Sequence, residues 1–180
     1  MKLIIFGNAR HGKDTACEYL RDRYGLSFSA SSTFACETFL FEQLRGPFGY
    51  ASMQECFDDR VNHRQLWYEA IRGHNTPDRT RLGRGIFAAN DVYCGIRDRE
   101  EFESLRAARL FDLAVWIDAE KRLPPESEQS MKLTRQDADL VISNNDDLEA
   151  LHKRLDALME GMDMFRHLCS VSRARAALVA

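Results

Sequence analysis

The sequence lacks the features that mark secreted, membrane-spanning and zinc-knuckle proteins. Its cysteines are odd in number, widely separated and without a CxxC pair, which excludes a disulfide framework or a zinc knuckle and favours a reducing compartment. The first apolar run, Leu3 to Phe6, is far shorter than the ~20 residues of a membrane span and is not followed by a signal-peptide cleavage pattern. We therefore expect a cytoplasmic protein with no membrane partner. The five cysteines are Cys17, Cys36, Cys56, Cys94 and Cys169.

The chain also lacks a large excess of one charge sign. Lys and Arg number 25 against 28 Asp and Glu, a formal net charge of −3, which excludes a uniformly basic coat for nucleic acid. Residues 60–84 depart from this average, since six arginines there face only two carboxylates and give a local charge of +4, leaving −7 elsewhere. Any anion-binding surface is therefore predicted to be confined. The arginines are Arg60, Arg64, Arg72, Arg79, Arg81 and Arg84.

Short apolar runs alternate with helical patterns along the 180 residues, a length typical of one domain. The runs at 2–6, 26–30, 92–96, 114–117 and 140–142 read as strands, and such alternation predicts an α/β fold with a parallel sheet covered on both faces. Between them we expect a helix from Ser31 or Ser32 to about Leu44, closed by Gly46-Pro47, and another from about Met53 to Ile71. A terminal helix is expected from Leu148 to about Met162.

A glycine-rich segment lies between the first strand and the first helix. It has the G-x-x-x-x-G-K spacing of loops whose backbone amides cradle phosphates, with Lys13 as a point charge for the outer phosphates. At the next position, where Ser or Thr is usual, stands Asp14, followed by Thr15. Asp14 could ligate magnesium together with Thr15, orient or deprotonate an acceptor hydroxyl, or simply favour the helix dipole. The predicted loop is Gly7, Asn8, Ala9, Arg10, His11, Gly12, Lys13, Asp14 and Thr15.

If a loop of this kind served phosphoryl transfer, further cations would be needed around the γ-phosphate besides the loop lysine. Arg97 follows a predicted strand, at the sheet edge where open α/β sheets bind ligands. Arg122 and Arg135 bracket a polar, proline-containing loop at 121–138. Arginines are also common in solvent, so a purely exposed role for each stays open.

Residues 60–84, the basic segment, are the candidate binding site for a molecule that would accept a phosphoryl group. The arginines of this segment are interleaved with aromatic side chains, a mixture that suits nucleotides or single-stranded DNA. The alternative is a helix that buries Trp67 and leaves the arginines in water. The predicted acceptor-binding residues are Ser31, Ser32, Glu37, Arg60, Arg64 and Trp67.

The run GNARHGKDT resembles the G-K-D-[ST] loop of small P-loop kinases of the nucleoside monophosphate kinase group, especially phage deoxynucleoside monophosphate kinases. The resemblance extends more weakly through CGIR at 94–97 with EEF at 100–102, and through ADLVISNN at 138–145. As a whole pattern, with ECFDDRVNHRQLW at 55–67, the sequence is most similar to phage 5-hydroxymethyl-2′-deoxyuridine (5-hmdU) DNA kinases. The similarity covers roughly residues 1 to 160.

The resemblance implies a three-layer P-loop NTPase fold with about five parallel strands, ATP and Mg²⁺ as donor and cofactor, and a lid at about 121–138. The kinase domain would span 1–165, with an acceptor-binding helical region at about 31–89 and a loosely attached tail at 166–180. Lys13, Asp14, Arg97 and Arg122 would be catalytic, and Arg135 a further cofactor-binding residue. A phage-encoded protein would act in the host cytoplasm.

Two positions qualify this resemblance. Related kinases often end the strand before the arginine with a magnesium-holding aspartate, but this sequence has Gly95, which transfers the metal role to Asp14, Thr15 or Asp118. Asn144-Asn145 resembles the loop that lies against adenine, and a plain turn explains the same residues.

The resemblance also leaves three functions open. The acceptor would be the hydroxymethyl group of 5-hydroxymethyluracil in phage DNA, during thymidine hypermodification. The alternatives are a free deoxynucleoside monophosphate and a non-catalytic nucleotide-binding module.

Overall fold

The computed structural model describes the backbone of residues 1–127 and 130–177 and the side chains of this range up to residue 164. Its centre is a five-stranded parallel sheet of order β2-β3-β1-β4-β5. The α/β prediction with about five parallel strands is confirmed. The strands are β1 (Leu3–Phe6), β2 (Phe28–Ala30), β3 (Val92–Cys94), β4 (Leu113–Asp118) and β5 (Leu140–Ser143).

Helices cover both faces of the sheet. Because side chains alternate along a strand, Ile4 and Phe6 of β1 enter one apolar core while Leu3 and Ile5 enter the other. All four are fully buried, which explains why the strand is apolar throughout rather than alternating. The helices are α1 (Lys13–Tyr24), α2 (Ser31–Ala35), α3 (Phe41–Phe48), α4 (Met53–Asp58), α5 (Arg64–His74), α6 (Arg81–Ala89), α7 (Arg99–Ala107) and α8 (Leu148–Ala177).

One predicted helix end was wrong. A π-helical turn at Cys36–Leu40 joins α2 to α3, and the helix passes through Pro47 to end at Phe48. The following glycine, Gly49, is in the left-handed conformation at φ 74° and ends the helix in place of Gly46-Pro47.

The helix predicted over 53–71 is in fact two. Asp59 breaks it, since its carboxylate accepts hydrogen bonds from Tyr50 Oη at 2.5 Å and Asn62 Nδ2 at 2.7 Å. The chain forms a 3-10 turn at Asp59–Val61 before α5 begins at Arg64. Because α4 and α5 are separate helices, α5 can have its own orientation, with one face at the sheet edge.

The order of strands creates a crevice at the carboxyl ends of β1 and β3. From β1 the chain runs towards one edge of the sheet to form β2. From β3 it crosses over β1 towards the opposite edge to form β4. Parallel sheets bind ligands at such switch points, outside the carboxyl ends of the strands. The glycine-rich loop follows β1 directly into this crevice.

The lid region contains no helix except a 3-10 turn at Arg135–Asp137, within its described residues 121–127 and 130–138. Its second half is anchored, because Met131 and Leu133 are buried in the core and Arg99 bonds both oxygens of Asp137 at 2.6 and 2.9 Å. The second half of the predicted lid is therefore packed against the rest of the fold.

The terminal helix α8 is longer than predicted, since its backbone continues to Ala177. The looseness of the tail at 166–180 stays a prediction, and residues 178–180 lie outside the described residues. Within the described part of the chain, no helix is long and apolar enough to cross a membrane.

Candidate active site

The glycine-rich loop requires glycine at two positions. Gly7 has φ 144°, and a Cβ there would lie 2.6 Å from the carbonyl oxygen of Ile117. Gly12 has φ 92°, and its Cβ would collide with the Asn144 side chain. Both glycines are therefore required, one by strand packing and the other by the close approach of Asn144.

His11 fastens the loop to the neighbouring strands. This fully buried residue accepts the Ala119 amide at Nδ1, at 3.0 Å, just after β4. Its carbonyl accepts from Asn144 Nδ2 at 2.9 Å, at the end of β5. These contacts hold the loop amides in place before any ligand binds, which lowers the entropy that binding must remove.

Lys13 lies nearly buried against the glycine-rich loop. Its side chain is nearly buried, at 8% exposed, and Nζ donates to the carbonyl of Asn8 at 2.7 Å. Burial and the positive charge of Arg97 lower the pKa of Lys13. The two cations therefore lie close enough to repel, and an anion between them would relieve that repulsion.

Asp14 and Thr15, adjacent at the start of α1, have different surroundings. The Asp14 carboxylate accepts from the Cys94 thiol at 3.4 Å and lines the cavity described below. Thr15 is exposed and does not line that cavity. The described residues contain no cluster of three or more His, Cys, Asp or Glu that could hold a metal. Asp14 and Thr15 nevertheless supply the hard oxygen donors that suit Mg²⁺ bound chiefly by phosphates.

A cavity of about 410 Å³ extends from the loop between α2, α5 and the lid. Helix α5 contributes residues spaced three, four and seven apart, hence one face of the helix. The opposite wall is Ala30, Ser31 and Ser32, at the junction of β2 and α2. The α5 residues that line the cavity are Arg64, Gln65, Trp67, Tyr68, Ile71 and Arg72.

Arg60 and Arg64 give the cavity its positive charge near the loop. Arg60 donates to Ser32 Oγ at 3.0 Å and lies 4.1 Å from the centroid of the Phe57 ring. Burial lowers the pKa of Arg60; Asp14 opposes that shift, and Arg64 and Arg97 add to it. Neither Arg60 nor Arg64 forms an ion pair among the described residues, so both are available to an anionic acceptor.

The far end of the cavity is lined by buried polar groups. Tyr93 donates to Glu101 Oε1 at 2.9 Å, and Tyr68 and Arg72 both donate to Asp98, at 3.0 and 3.1 Å. Glu101 is 4% exposed, and burial raises its pKa to about 7. A buried carboxyl with a shifted pKa in a cleft is typical of functional sites.

Arg97 lies at the mouth of the cavity but is held by the lid. Its Nη1 donates to both carboxylate oxygens of Glu126, each at 2.9 Å, and to the Ser130 carbonyl at 3.0 Å. Its position next to Lys13 agrees with a role near the γ-phosphate. Gly95, which replaces the aspartate of related kinases, has φ 79°, and its Cβ would lie 4.0 Å from Lys13 Cε.

Other predicted residues lie away from this cavity. Arg122 donates to the carbonyl of Asn144 and Arg135 belongs to the 3-10 turn, so neither reaches the cavity lining. Glu37 is exposed in the π-helical turn and also lies outside the lining. Trp67 lines the cavity but is 3% exposed and packs against Phe57, which agrees with the core alternative.

The asparagines after β5 fasten the loop to its neighbours. Besides its bond to His11, Asn144 donates its backbone amide to the carbonyl of Asp118 at 2.6 Å. Asn145 Nδ2 contacts Asp118 Oδ2 at 3.3 Å, and Asn145 Oδ1 accepts the Lys121 amide at 2.9 Å. Both side chains and the Asp118 carboxylate are thus occupied by the protein, as the plain-turn alternative expects.

Three carboxylates of the site, Asp98, Glu101 and Glu126, were not among the predicted site residues. The spacing Asp98-x-x-Glu101 is a helix N-terminus signal, and Asp98 Oδ1 does accept the Glu101 amide at 3.1 Å. That signal explains the cap and does not reveal that Glu101 faces a cavity. Glu126 lies in a proline-containing loop with no local pattern to mark it.

Fold and loop geometry together define the class as the P-loop kinase fold. No protein-family model and no curated protein matches the sequence. Among solved structures, shikimate kinase from Aquifex aeolicus is 17% identical, with a TM-score of 0.50, over 91% of this chain and 99% of that one. TT1252 from Thermus thermophilus is 18% identical, with a TM-score of 0.51, over 89% and 97%. Shikimate kinase from Bacteroides thetaiotaomicron is 10% identical, with a TM-score of 0.50, over 91% and 98%. At these identities the likeness shows the fold.

Proposed function

We propose that this protein is an ATP-dependent phosphotransferase acting on a deoxynucleotide-type acceptor. The observation that carries the proposal is that the glycine-rich loop opens onto a cavity lined by Arg60 and Arg64, which have no carboxylate partner among the described residues. A donor phosphate on the loop and an anionic acceptor in the cavity would be neighbours. Catalysis of phosphoryl transfer consists mainly of such positioning and of charge stabilisation.

On the donor side, the loop amides and Lys13 would bind the β- and γ-phosphates of ATP. Asp14 and Thr15 are the candidate ligands of Mg²⁺, which would neutralise charge that develops on those phosphates. Arg97 would contribute a second cation at the γ-phosphate. Arg122 and Arg135 stay predictions as lid arginines, since they would have to move to reach it.

On the acceptor side, Asp14 is the candidate general base as an alternative to its metal role, because it lines the cavity next to Lys13. The acceptor oxygen would attack the γ-phosphorus, the bond from that phosphorus to the β–γ bridging oxygen would break, and ADP would leave. Asp14 would take the hydroxyl proton.

The acceptor that we propose is the hydroxymethyl group of 5-hydroxymethyluracil in phage DNA, as in thymidine hypermodification. The base would leave the stack to enter the cavity, as enzymes acting on a base within DNA require. Ser31 and Ser32 offer hydroxyls to the nucleotide, and Arg60 and Arg64 offer cations to its phosphate. In an anti nucleotide the 5-substituent and the 5′-phosphate lie on the same side, so both could lie near the loop.

A free deoxynucleoside monophosphate is a second candidate, favoured by a specific observation. Arg60, Arg64 and Arg97 are near enough to one another to affect the pKa of Arg60, and Asp14 is beside them. Three cations next to the phosphate loop suit an acceptor whose reacting group is itself a phosphate. The cavity would accommodate either substrate.

Incubation with γ-labelled ATP and Mg²⁺ tests the proposal, with hydroxymethyluracil-containing DNA and a panel of deoxynucleoside monophosphates offered separately. Label on the DNA alone supports the first acceptor, and label on a free monophosphate supports the second. ATP binding without transfer to any acceptor would leave the non-catalytic nucleotide-binding module.

Lys13→Ala should lower transfer by at least about 100-fold, because it removes a preorganised cation from the developing charge. Lys153→Ala is the matched control, since Lys153 is exposed on α8 and pairs only with Glu149 among the described residues. A Lys13→Ala variant with unchanged rate would contradict the assignment of the phosphate loop.

A further inference from the structure

The lid places a carboxylate on the phosphate loop. Glu126 Oε2 accepts the backbone amide of Ala9 at 2.6 Å, and both its oxygens accept from Arg97 at 2.9 Å. The contact is reciprocal, since the Glu126 amide donates to Asn8 Oδ1 at 3.1 Å. The Glu126 side chain is 13% exposed, so this anion is largely removed from water.

The donors that hold Glu126 are those that an outer phosphate of a nucleotide needs. A loop amide and an arginine converge on it, and its negative charge raises the pKa of Lys13. Hydrogen bonds from such donors to an anion are among the stronger ones in proteins. A phosphate oxygen and the Glu126 carboxylate cannot accept from the same Ala9 amide at once, and their like charges repel.

The same contact helps to hold Arg97 against the segment that contains Glu126, Ser130 and Lys132. Arg97 donates to the Ser130 carbonyl as well as to Glu126, and its own carbonyl accepts the Lys132 amide at 3.2 Å. Loss of the Glu126 contact would therefore leave the Arg97 guanidinium bonded to the Ser130 carbonyl, while the Arg97 backbone remains tied to Lys132. The side chain would then have a vacant bonding position next to the loop.

We propose that Glu126 is a specificity-determining residue of the nucleotide site, a tethered carboxylate that holds the outer-phosphate position until a triphosphate displaces it. Displacement transfers Arg97 from Glu126 to the γ-phosphate. The inference rests on the proposed function in one respect, that the loop binds a nucleotide. It adds that nucleotides with outer phosphates compete with Glu126 for the Ala9 amide and for Arg97. A nucleoside monophosphate, which has no outer phosphates, does not compete with Glu126.

Removal of the charge from Glu126 should strengthen ATP binding selectively. Glu126→Gln keeps the side-chain size but loses the ion pair with Arg97, so ATP affinity should rise by about three- to tenfold. AMP affinity should stay the same within about twofold. Glu126→Asp keeps the charge but shortens the side chain by one methylene, and should give a smaller gain for ATP.

The experiment is equilibrium titration of ATP and AMP into the wild type and these variants, with far-UV circular dichroism as the check of folding. Glu120→Gln is the matched control, because Glu120 is an exposed carboxylate at the start of the same loop. A merely structural Glu126 would alter ATP and AMP affinity together or not at all, so the ratio of the two affinities is the deciding readout.

Selective gain of ATP affinity in Glu126→Gln, with Glu120→Gln unchanged, supports the proposal. If the wild type binds ATP and Glu126→Gln binds it no more tightly, the role of Glu126 is refuted while the kinase function stands. If neither protein binds ATP, the nucleotide site itself is refuted, and this inference with it.

Discussion

Glu101 offers a test of the cavity that depends on pH. Burial is the largest cause that raises its pKa from the ordinary value of 4.5 to about 7, and Asp98 adds to the rise. The hydrogen bonds from Tyr93 and Asn75 oppose it. We therefore expect the folded protein to hold a proton on Glu101 that the unfolded chain releases at lower pH.

The direction in which stability changes with pH follows from the linkage between proton binding and folding. A carboxyl whose pKa is higher in the folded state is protonated in both states below pH 4.5, so the free energy of unfolding is unaffected there. Between pH 4.5 and 7 the unfolded chain ionises first and is stabilised, so stability falls as pH rises. This difference between the folded-state and unfolded-state pKa corresponds to a loss of about 3 kcal/mol in the free energy of unfolding as pH rises. Most of that loss occurs between pH 5 and pH 8.

The perturbation is Glu101→Gln, which keeps an oxygen to accept from Tyr93 and cannot ionise. Urea unfolding followed by tryptophan fluorescence should show that the variant gains about 2 to 3 kcal/mol over the wild type on going from pH 5 to pH 8. Glu103→Gln, on the exposed side of α7, is the control and should change by less than about 1 kcal/mol at either pH. Parallel pH profiles for wild type and Glu101→Gln would refute a Glu101 that is protonated by burial.

Two further predictions concern packing and the acceptor. Gly83→Ala should lower the free energy of unfolding by about 1 to 2 kcal/mol, because its Cβ would lie 2.5 Å from Leu105 Cδ2. Gly73→Ala, where a Cβ has nothing within 4 Å, is the control, and urea unfolding in which Gly83→Ala is no less stable than Gly73→Ala would contradict the tight packing. Arg60→Ala should raise the KM for the acceptor about tenfold in steady-state transfer assays and leave the KM for ATP unchanged, because it removes a charged contact to the acceptor. An equal effect from the exposed Arg84→Ala, or a change in the KM for ATP, would show that Arg60 does not bind the acceptor.

Several parts of the site were predictable because their signals are local. The phosphate loop is nine consecutive residues between a strand and a helix, so the chain itself places Lys13 at the helix start. The strands were recognisable because burial on both faces demands apolar residues at every position. Arg97 was identified by the same logic, since it follows a strand whose carboxyl end lies at the ligand edge.

The acceptor region was predicted less well. The composition of residues 60–84 indicated an anion-binding surface, but it did not show which arginines belong to that surface. The cavity is lined by Arg60, Arg64, Arg72 and Arg79, whereas Arg81 and Arg84 lie outside it. This division depends on where the 3-10 turn at Asp59–Val61, α5, the loop before α6 and α6 itself place each side chain. The break at Asp59 was not visible either, because it depends on the side-chain contact with Tyr50.

The sequence by itself determined the fold class, the position of the glycine-rich loop and the confinement of positive charge, because each is encoded in neighbouring residues. Only the tertiary structure decided that Glu126 lies on the loop amide of Ala9, 117 positions away along the chain. It also decided that Arg122 contacts the loop after β5, and that Glu101 lines a cavity rather than only donating its amide to the Asp98 cap. Contacts between distant segments depend on how strands order and cross, and no local pattern of residues specifies that geometry.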